Sequence, residues 1–277
     1  MTVMSEPNNF FPQRFKDAAR HYTTGRPAYP KLLARRVAEL IGLDADGRVL
    51  DIGTGPGFLA IDFAPWASEV IALDPSPEML AAAQANAAEA EVEIRFVQGS
   101  SYDLGEGFGR FKLATFGRSF HWTDRAGTLA ALDRLIVAGG AVALFGDRFP
   151  DLPQNAWRAA FKALLDRCGE EDPARRELRS PVNHETVLLA SAFDHLERVS
   201  VLERRRTPLQ HFVDRALSFG KTWHGRPGFK PEALAEETRH ALRPWVQDDG
   251  AIEEIVEGHA LVARRPAEVT GAARSSF

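Results

Sequence analysis

Residues Arg48 to Leu59 read RVLDIGTGPGFL. Val49, Leu50 and Ile52 form a short apolar run that ends in glycines, the pattern of a buried strand running into a tight turn. Gly53, Gly55 and Gly57 stand at alternate positions, where they let the backbone take positive φ and approach a ligand without a Cβ in the way. Phe58, Leu59, Ile61 and Phe63 then supply apolar residues for a helix whose first amides face the loop. A strand, a glycine loop and a helix start make a nucleotide-type binding crevice.

The spacing separates two ligands. A dinucleotide fingerprint is G-x-G-x-x-G, with its third glycine easing helix–strand packing. Here the spacing is G-x-G-x-G, and the acidic Asp51 stands just before the loop. A pyrophosphate would be repelled by that carboxylate, whereas an amino group would be attracted. The second half of such a site is a carboxylate at the end of the next strand, gripping ribose hydroxyls. Val70-Ile71-Ala72-Leu73 is that strand and Asp74 is that carboxylate. The pair suits an adenosine with a cationic amino-acid tail better than NAD.

VLDIGTGPG followed by VIALDPSPEML resembles the first two motifs of the class I S-adenosylmethionine-dependent methyltransferases, and the resemblance runs from about Phe15 through Pro266. It implies an α/β fold: a doubly wound, Rossmann-like seven-stranded sheet, mostly parallel with a final antiparallel strand, plus helical lid elements. It implies S-adenosyl-L-methionine as methyl donor, S-adenosyl-L-homocysteine as product and a small-molecule methyl acceptor. Asp51, Gly53, Thr54, Gly55, Asp74 and Pro75 become cofactor-binding candidates, with Met79, one turn into the following helix, placed to touch the adenine ring. In the subgroup that resembles this chain, a Y…RP.YP segment folds over the cofactor mouth, so Phe10 to Pro30 is expected to be a lid carrying Tyr22 and Arg26. Packing of its aromatics on the core is the plainer alternative. The family's third motif presents an acidic residue to the adenine amino group. Ser100 occupies that place here, followed by Ser101 and Tyr102, and a serine hydroxyl can accept the same bond. In the fourth motif Lys112 replaces the usual aspartate, while the SFHW cluster is typical of a small-molecule subgroup.

Composition bounds the rest. With 277 residues, 44% of them hydrophobic, the chain can bury one sizeable core plus appended elements. The expected layout is a single domain over residues 1–277: the lid at 10–30, a cofactor core at 48–146, helical substrate caps at 149–193 and 208–244, and a disordered tail at 266–277. A net charge of −4 gives no electrostatic footprint for nucleic acid. No apolar run reaches the roughly 20 residues that span a bilayer, and the N-terminus lacks a charged-then-apolar signal pattern. The expectation is a soluble cytoplasmic protein without membrane or nucleic-acid partners. Cys168 is the only cysteine, which rules out an internal disulfide or a cysteine metal cluster. The histidines are scattered without paired spacing, so no metal site is expected. Nothing in the pattern sets an oligomeric state.

Along the chain, Leu32, Leu33, Val37, Leu40 and Ile41 follow Pro30 at helical spacing and Gly42 ends that helix. Ser76, Pro77 and Glu78 form a helix start, with a capping hydroxyl, a proline in the first turn and an acid at the positive end. Strands are expected at Val92–Val97, Phe111–Phe116, Ala141–Gly146, His195–Thr207 and Ile252–Arg264. Helices are expected after Thr123 or Asp124 (ending at Gly139-Gly140), around Trp157–Leu165, and at Phe212–Trp223 and Glu232–Leu242. Strands alternating with helices argue for a right-handed parallel sheet.

Methyl transfer from a sulfonium is an in-line displacement, so positioning supplies much of the acceleration. A base is needed only where the acceptor must lose a proton, and His121 is the candidate because imidazole titrates near neutrality. Its plainer reading is a structural histidine beside a packed Trp122. Arg118, from the same strand end, can bind a carboxylate or phosphate. Trp157, Phe219, Trp223 and His224 lie where a roof over the pocket is expected, and for any single one of them packing without substrate contact is the plainer reading. Two other classes remain open on sequence grounds: a non-catalytic cofactor-binding protein, and an NAD-dependent oxidoreductase on the same type of sheet.

Overall fold

The computed structural model describes residues 21–168, 181–219 and 229–265. Its centre is a seven-stranded sheet. In chain order the strands are β1 (Arg48–Ile52), β2 (Glu69–Asp74), β3 (Arg95–Gln98), β4 (Phe111–Gly117), β5 (Ile136–Arg148), β6 (His195–Pro208) and β7 (Ala251–Arg264). In space they run β3-β2-β1-β4-β5-β7-β6. All neighbours are parallel except β7, which enters between β5 and β6 antiparallel to both. The expected seven-stranded, doubly wound sheet with an antiparallel last strand is the observed one.

The order reverses between β1 and β4, the crevice where open α/β sheets bind ligands. Alternation along each strand feeds two cores, because successive side chains point to opposite faces. Leu50, Ile52, Ile71 and Leu73 join Phe116 and Leu132 on one face. Val49, Val70 and Ala72 join Val37, Leu59 and Phe63 on the other. Burial on both faces explains the near-continuous apolar runs that mark the central strands.

Helices α1 (Lys31–Ile41) and α2 (Phe58–Phe63) cover the second face, and α3 (Pro77–Glu89) lies on β2 and β3. Helices α4 (Arg125–Leu135) and α6 (Pro181–Leu189) cover the first. Helices α5 (Trp157–Arg167), α7 (Leu209–Leu217) and α8 (Pro231–Leu242) enclose a third apolar cluster around Trp157, Phe161, Phe212 and Leu234. Trp157 is only 1% exposed, so it packs the middle of that cluster instead of roofing a pocket. No helix among the described residues is long and apolar enough to cross a membrane.

Several boundaries differ from expectation for identifiable reasons. Strand β3 starts at Arg95, not Val92, because the Val92 amide closes the end of α3 on Ala87 O after Glu91 turns at φ 54°. Helix α4 stops at Leu135, ahead of Gly139-Gly140. Ile136 already pairs with Phe111, and the glycines lie in an irregularity that shifts the β4–β5 register. Helix α7 begins at Leu209 and ends at Leu217, earlier than the Phe212–Trp223 reading at both ends. Asp124, and not Thr123, caps α4 by accepting from the Gly127 amide. Residues 10–20 of the expected lid, Trp223, His224 and the expected tail at 266–277 lie outside the described residues.

Candidate active site

The β1 exit builds the site by register. Parallel pairing sets Asp51 beside Thr115 of β4, and the Thr115 hydroxyl donates to Asp51 Oδ1 at 2.7 Å. Thr54, three residues on, donates to Asp51 Oδ2 at 2.5 Å. The carboxyl is 1% exposed, and burial pushes its pKa up to about 6 against the lowering pull of those two hydroxyls.

The glycine loop is tied to the next strand end. Gly55 N–H donates to Asp74 Oδ2 at 2.8 Å and Ser76 N–H to Oδ1 at 2.9 Å. Burial raises the Asp74 pKa and these two amides pull it back. Gly53 sits at φ 67°, and a Cβ there would stand 2.6 Å from Ser119 Cβ. Ser119 is itself held by a 2.6 Å bond to Ile52 O. Gly55 sits at φ 54° with nothing within 4 Å of a would-be Cβ, so the loop presents bare backbone to open space.

That space is a pocket lined by Tyr22, Tyr29, Asp51, Gly53, Thr54, Gly55, Pro56, Phe58, Leu59, Gly117 and Arg118. Six of the residues nominated from sequence therefore share one wall: Tyr22, Asp51, Gly53, Thr54, Gly55 and Arg118. Tyr22 belongs to a strap of residues 21–30, whose first five residues are helical. Asp74 sits directly behind the loop. Pro75 lies between Asp74 and α3, with its carbonyl 3.5 Å from Gln98 Nε2. Met79 is 3% exposed, and its amide closes the Ser76 cap.

At the β3 exit the pattern differs from the serine reading. Ser100 Oγ donates to Asp103 Oδ2 at 3.0 Å and accepts from the Tyr102 amide at 3.3 Å. The acidic group of this turn is thus Asp103, which also takes the Ser100 amide at 2.7 Å. Ser101 is buried beneath the turn and Tyr102 is 57% exposed. His121 lies in a single 3-10 turn after β4, half-buried, with its ring 4.8 Å from that of Trp122. It is not part of the wall of the pocket at the glycine loop.

Arg118 is more committed than its sequence reading allowed. It takes φ 58°, and Nη1 binds Asp147 Oδ1 at 2.5 Å and Pro27 O at 3.2 Å. Burial alone would raise the Asp147 pKa, but Arg118 and Arg26 together hold it below the usual carboxylate range. Tyr29 lies 4.8 Å beneath the Arg118 guanidinium, and burial pushes its phenol up. Sequence reasoning missed Tyr29 and Asp103 as site residues, although both stand inside quoted motifs. It also missed Asp147, Asp214 and Arg215, whose partners are distant in sequence and leave no local signal.

Residues 49–140 match the methyltransferase domain family. The demethylmenaquinone methyltransferase of Thermus thermophilus is 31% identical over 137 residues, covering 48% of this chain and 61% of that one. This chain therefore spans about three fifths of that relative's length. The solved structure of YcgJ from Bacillus subtilis aligns over 86% of this chain and all of its own, with a TM-score of 0.51 and 20% identity. A SAM-dependent methyltransferase from Thiobacillus denitrificans, solved with S-adenosyl-L-homocysteine, covers 91% of this chain and 98% of its own, with a TM-score of 0.50 and 17% identity. At these identities the two solved structures speak to the fold.

Proposed function

We propose that this chain, which carries a class I S-adenosylmethionine-dependent methyltransferase domain, moves a methyl group from S-adenosylmethionine to a small-molecule acceptor. The observation that carries the reading is the bare Gly53–Gly55 loop bonded to Asp74 and opening on a pocket with Asp51 at its base. The residues suit this ligand. Asp74, at the β2 exit, is the ribose-binding carboxylate, and Ser100 to Asp103, at the β3 exit, flank the adenine. Met79 and Pro75 stand between them. Tyr22, Arg26, Thr54, Asp51 and Arg118 surround the amino-acid tail.

When bound, the cofactor supplies an electrophilic sulfonium methyl. The chain's share is positioning: it orients the tail between opposite charges and keeps water out with the Tyr22–Tyr29 wall. His121, at the exit of β4, serves as general base where the acceptor must lose a proton. His121→Ala should then keep cofactor affinity and lower kcat by about 10²–10⁴. A folded variant with near-normal kcat removes that role. Relatives named for quinone chemistry favour a small acceptor. Transfer of labelled methyl from S-adenosylmethionine into a metabolite extract tests the whole reading. Label appearing only in protein would replace the acceptor class, and cofactor binding without transfer would favour a non-catalytic binder.

Asp51 adds a pH signature. Its folded pKa of about 6 lies above the ordinary 3.8, so the native state holds the proton more tightly than the unfolded chain. Stability from this group is full below about 4 and is lost as pH rises through about 6. Binding of an ammonium-bearing tail goes the other way, since it needs the ionised carboxylate. S-adenosylhomocysteine affinity should fall about tenfold per pH unit below about 6, and calorimetry from pH 8 to 5 should show the bend. A flat profile would take Asp51 out of the ammonium contact.

A further inference from the structure

The sequence offers Arg118 to a carboxylate, and the fold commits it to Asp147 and the Pro27 carbonyl instead. Further along the same segment, Arg125 opens α4. Its Nη1 is shielded from solvent without an acceptor, and no carboxylate among the described residues forms an ion pair with it. Asp124 beside it caps the helix, taking the Gly127 amide at 3.2 Å. The 3-10 turn Phe120–Trp122 joins Arg118, in the wall of the glycine-loop pocket, to Arg125 and carries His121 between them. Arg125 therefore stands at the end of the sheet where β4 exits.

A second shielded nitrogen reaches this place from another element. His184 on α6 sets its ring edge-on to Phe120, 5.4 Å between centroids, and its Nε2 has no partner. Arg125 is close enough to oppose its protonation: burial first, and then that guanidinium, draw the His184 pKa down to about 4. Glu185, the next residue of α6, is held by Arg198 of β6 and so does not serve either group. Phe120 rests in turn on Phe116 of β4, 5.0 Å between ring centroids, which makes the floor apolar. Buried polar groups are paired in the great majority of cases, and leaving two unpaired in one place is costly. A bound group with two acceptor oxygens removes that cost.

We propose that Arg125 and His184 form an anion subsite for the methyl acceptor, which is therefore a small molecule bearing a carboxylate. This rests on the reading that the chain methylates a small molecule. The two oxygens of a carboxylate match the two nitrogens, Arg125 donating from Nη1 and His184 from Nε2. A neutral amide offers one acceptor oxygen, and a phosphate needs more donors than these two supply. The acceptor's apolar body lies along Phe120, and its reacting atom extends past His121 toward the pocket. A carboxylate in the subsite also reverses the electrostatics at His184, since it favours the imidazolium that Arg125 alone opposes.

The test uses benzoate as probe and benzamide as its neutral counterpart, each titrated into protein saturated with S-adenosylhomocysteine. Magnetic resonance follows the His184 ring signals, assigned by their loss in His184→Gln. Benzoate should shift them saturably and raise the His184 protonation midpoint by at least about one pH unit, whereas benzamide should do neither. Arg125→Met should weaken benzoate at least about tenfold, and Arg125→Lys should retain part of the binding. In a metabolite extract, methyl label from S-adenosylmethionine should enter products that an anion-exchange resin retains, and Arg125→Met should cut that labelling at least about tenfold with S-adenosylhomocysteine affinity unchanged. An equal His184 response to benzoate and benzamide would overturn the subsite, and this comparison needs no variant to fold. Unchanged benzoate affinity in Arg125→Met would overturn it too, and labelled products that all pass the resin uncharged would overturn the acceptor class. A protein that binds benzoate at His184 but neither binds S-adenosylhomocysteine nor transfers label would keep the anion subsite and lose the methyl-transfer reading, so the two fail separately.

Discussion

Asp74→Ala should weaken S-adenosylhomocysteine binding by about two to three orders of magnitude in calorimetry, on the order of 3–4 kcal/mol. The carboxylate does two jobs at once. It accepts the Gly55 and Ser76 amides, and so fixes a loop that rests at a positive φ. In the proposed reading, its remaining lone pairs accept the ribose hydroxyls. Alanine strands two amides and removes the ribose contact, so the loss exceeds that of one hydrogen bond. Asp74→Asn keeps one acceptor oxygen and should fall between the two. Affinity unchanged in both variants would place the nucleoside elsewhere.

The core of this arrangement was legible because its causes are local. Val49 to Gly57 carries strand, turn and bare backbone within nine residues. Ser76-Pro77 likewise announces a helix start that the Met79 amide then closes on the Ser76 hydroxyl. The central strands followed from apolar runs, which parallel sheets need on both faces. What stayed hidden was long-range. Asp103 accepts from the Ser100 amide and hydroxyl across a turn, a pairing that the reading of Ser100 as the acceptor did not contain. Arg118 read as a free cation because Asp147 is one strand away. The strap's anchors on α7 lie about 190 residues downstream of it, and no periodicity or spacing encodes such pairing. Boundaries slipped where backbone geometry overrode pattern, as at Glu91 and at the Gly139-Gly140 irregularity.

The largest stability effect is expected at Glu254, which is 1% exposed on β7. Both its oxygens are used: Arg215 donates Nη1 and Nη2, and Thr207 adds its hydroxyl at 2.6 Å. Arg215 is walled by Phe149, Phe212 and Trp157, with its guanidinium 4.5–5.6 Å from their ring centres. Glu254→Leu leaves that cation buried without a counter-charge, a loss of about 3–5 kcal/mol. For a chain of this size the midpoint of thermal unfolding should drop by roughly 6–20 °C. Replacing the pair together, Arg215→Met with Glu254→Leu, should recover most of the stability, since well-packed apolar side chains often substitute for a buried ion pair at little cost. The strap should not recover with it. Gly25 O, which accepts from Arg215 Nε at 3.1 Å, loses its donor in the double variant, so amide exchange across residues 21–30 should stay faster than in the wild type even where the melting temperature is restored. A double variant as unstable as Glu254→Leu would mean that the loss came from Thr207 or from packing on β7, and not from a stranded guanidinium. Restored melting with wild-type strap exchange would show that Asp214, Arg118 and Arg205 hold the strap without Arg215, leaving Arg215 a part of the cap and not of the lid.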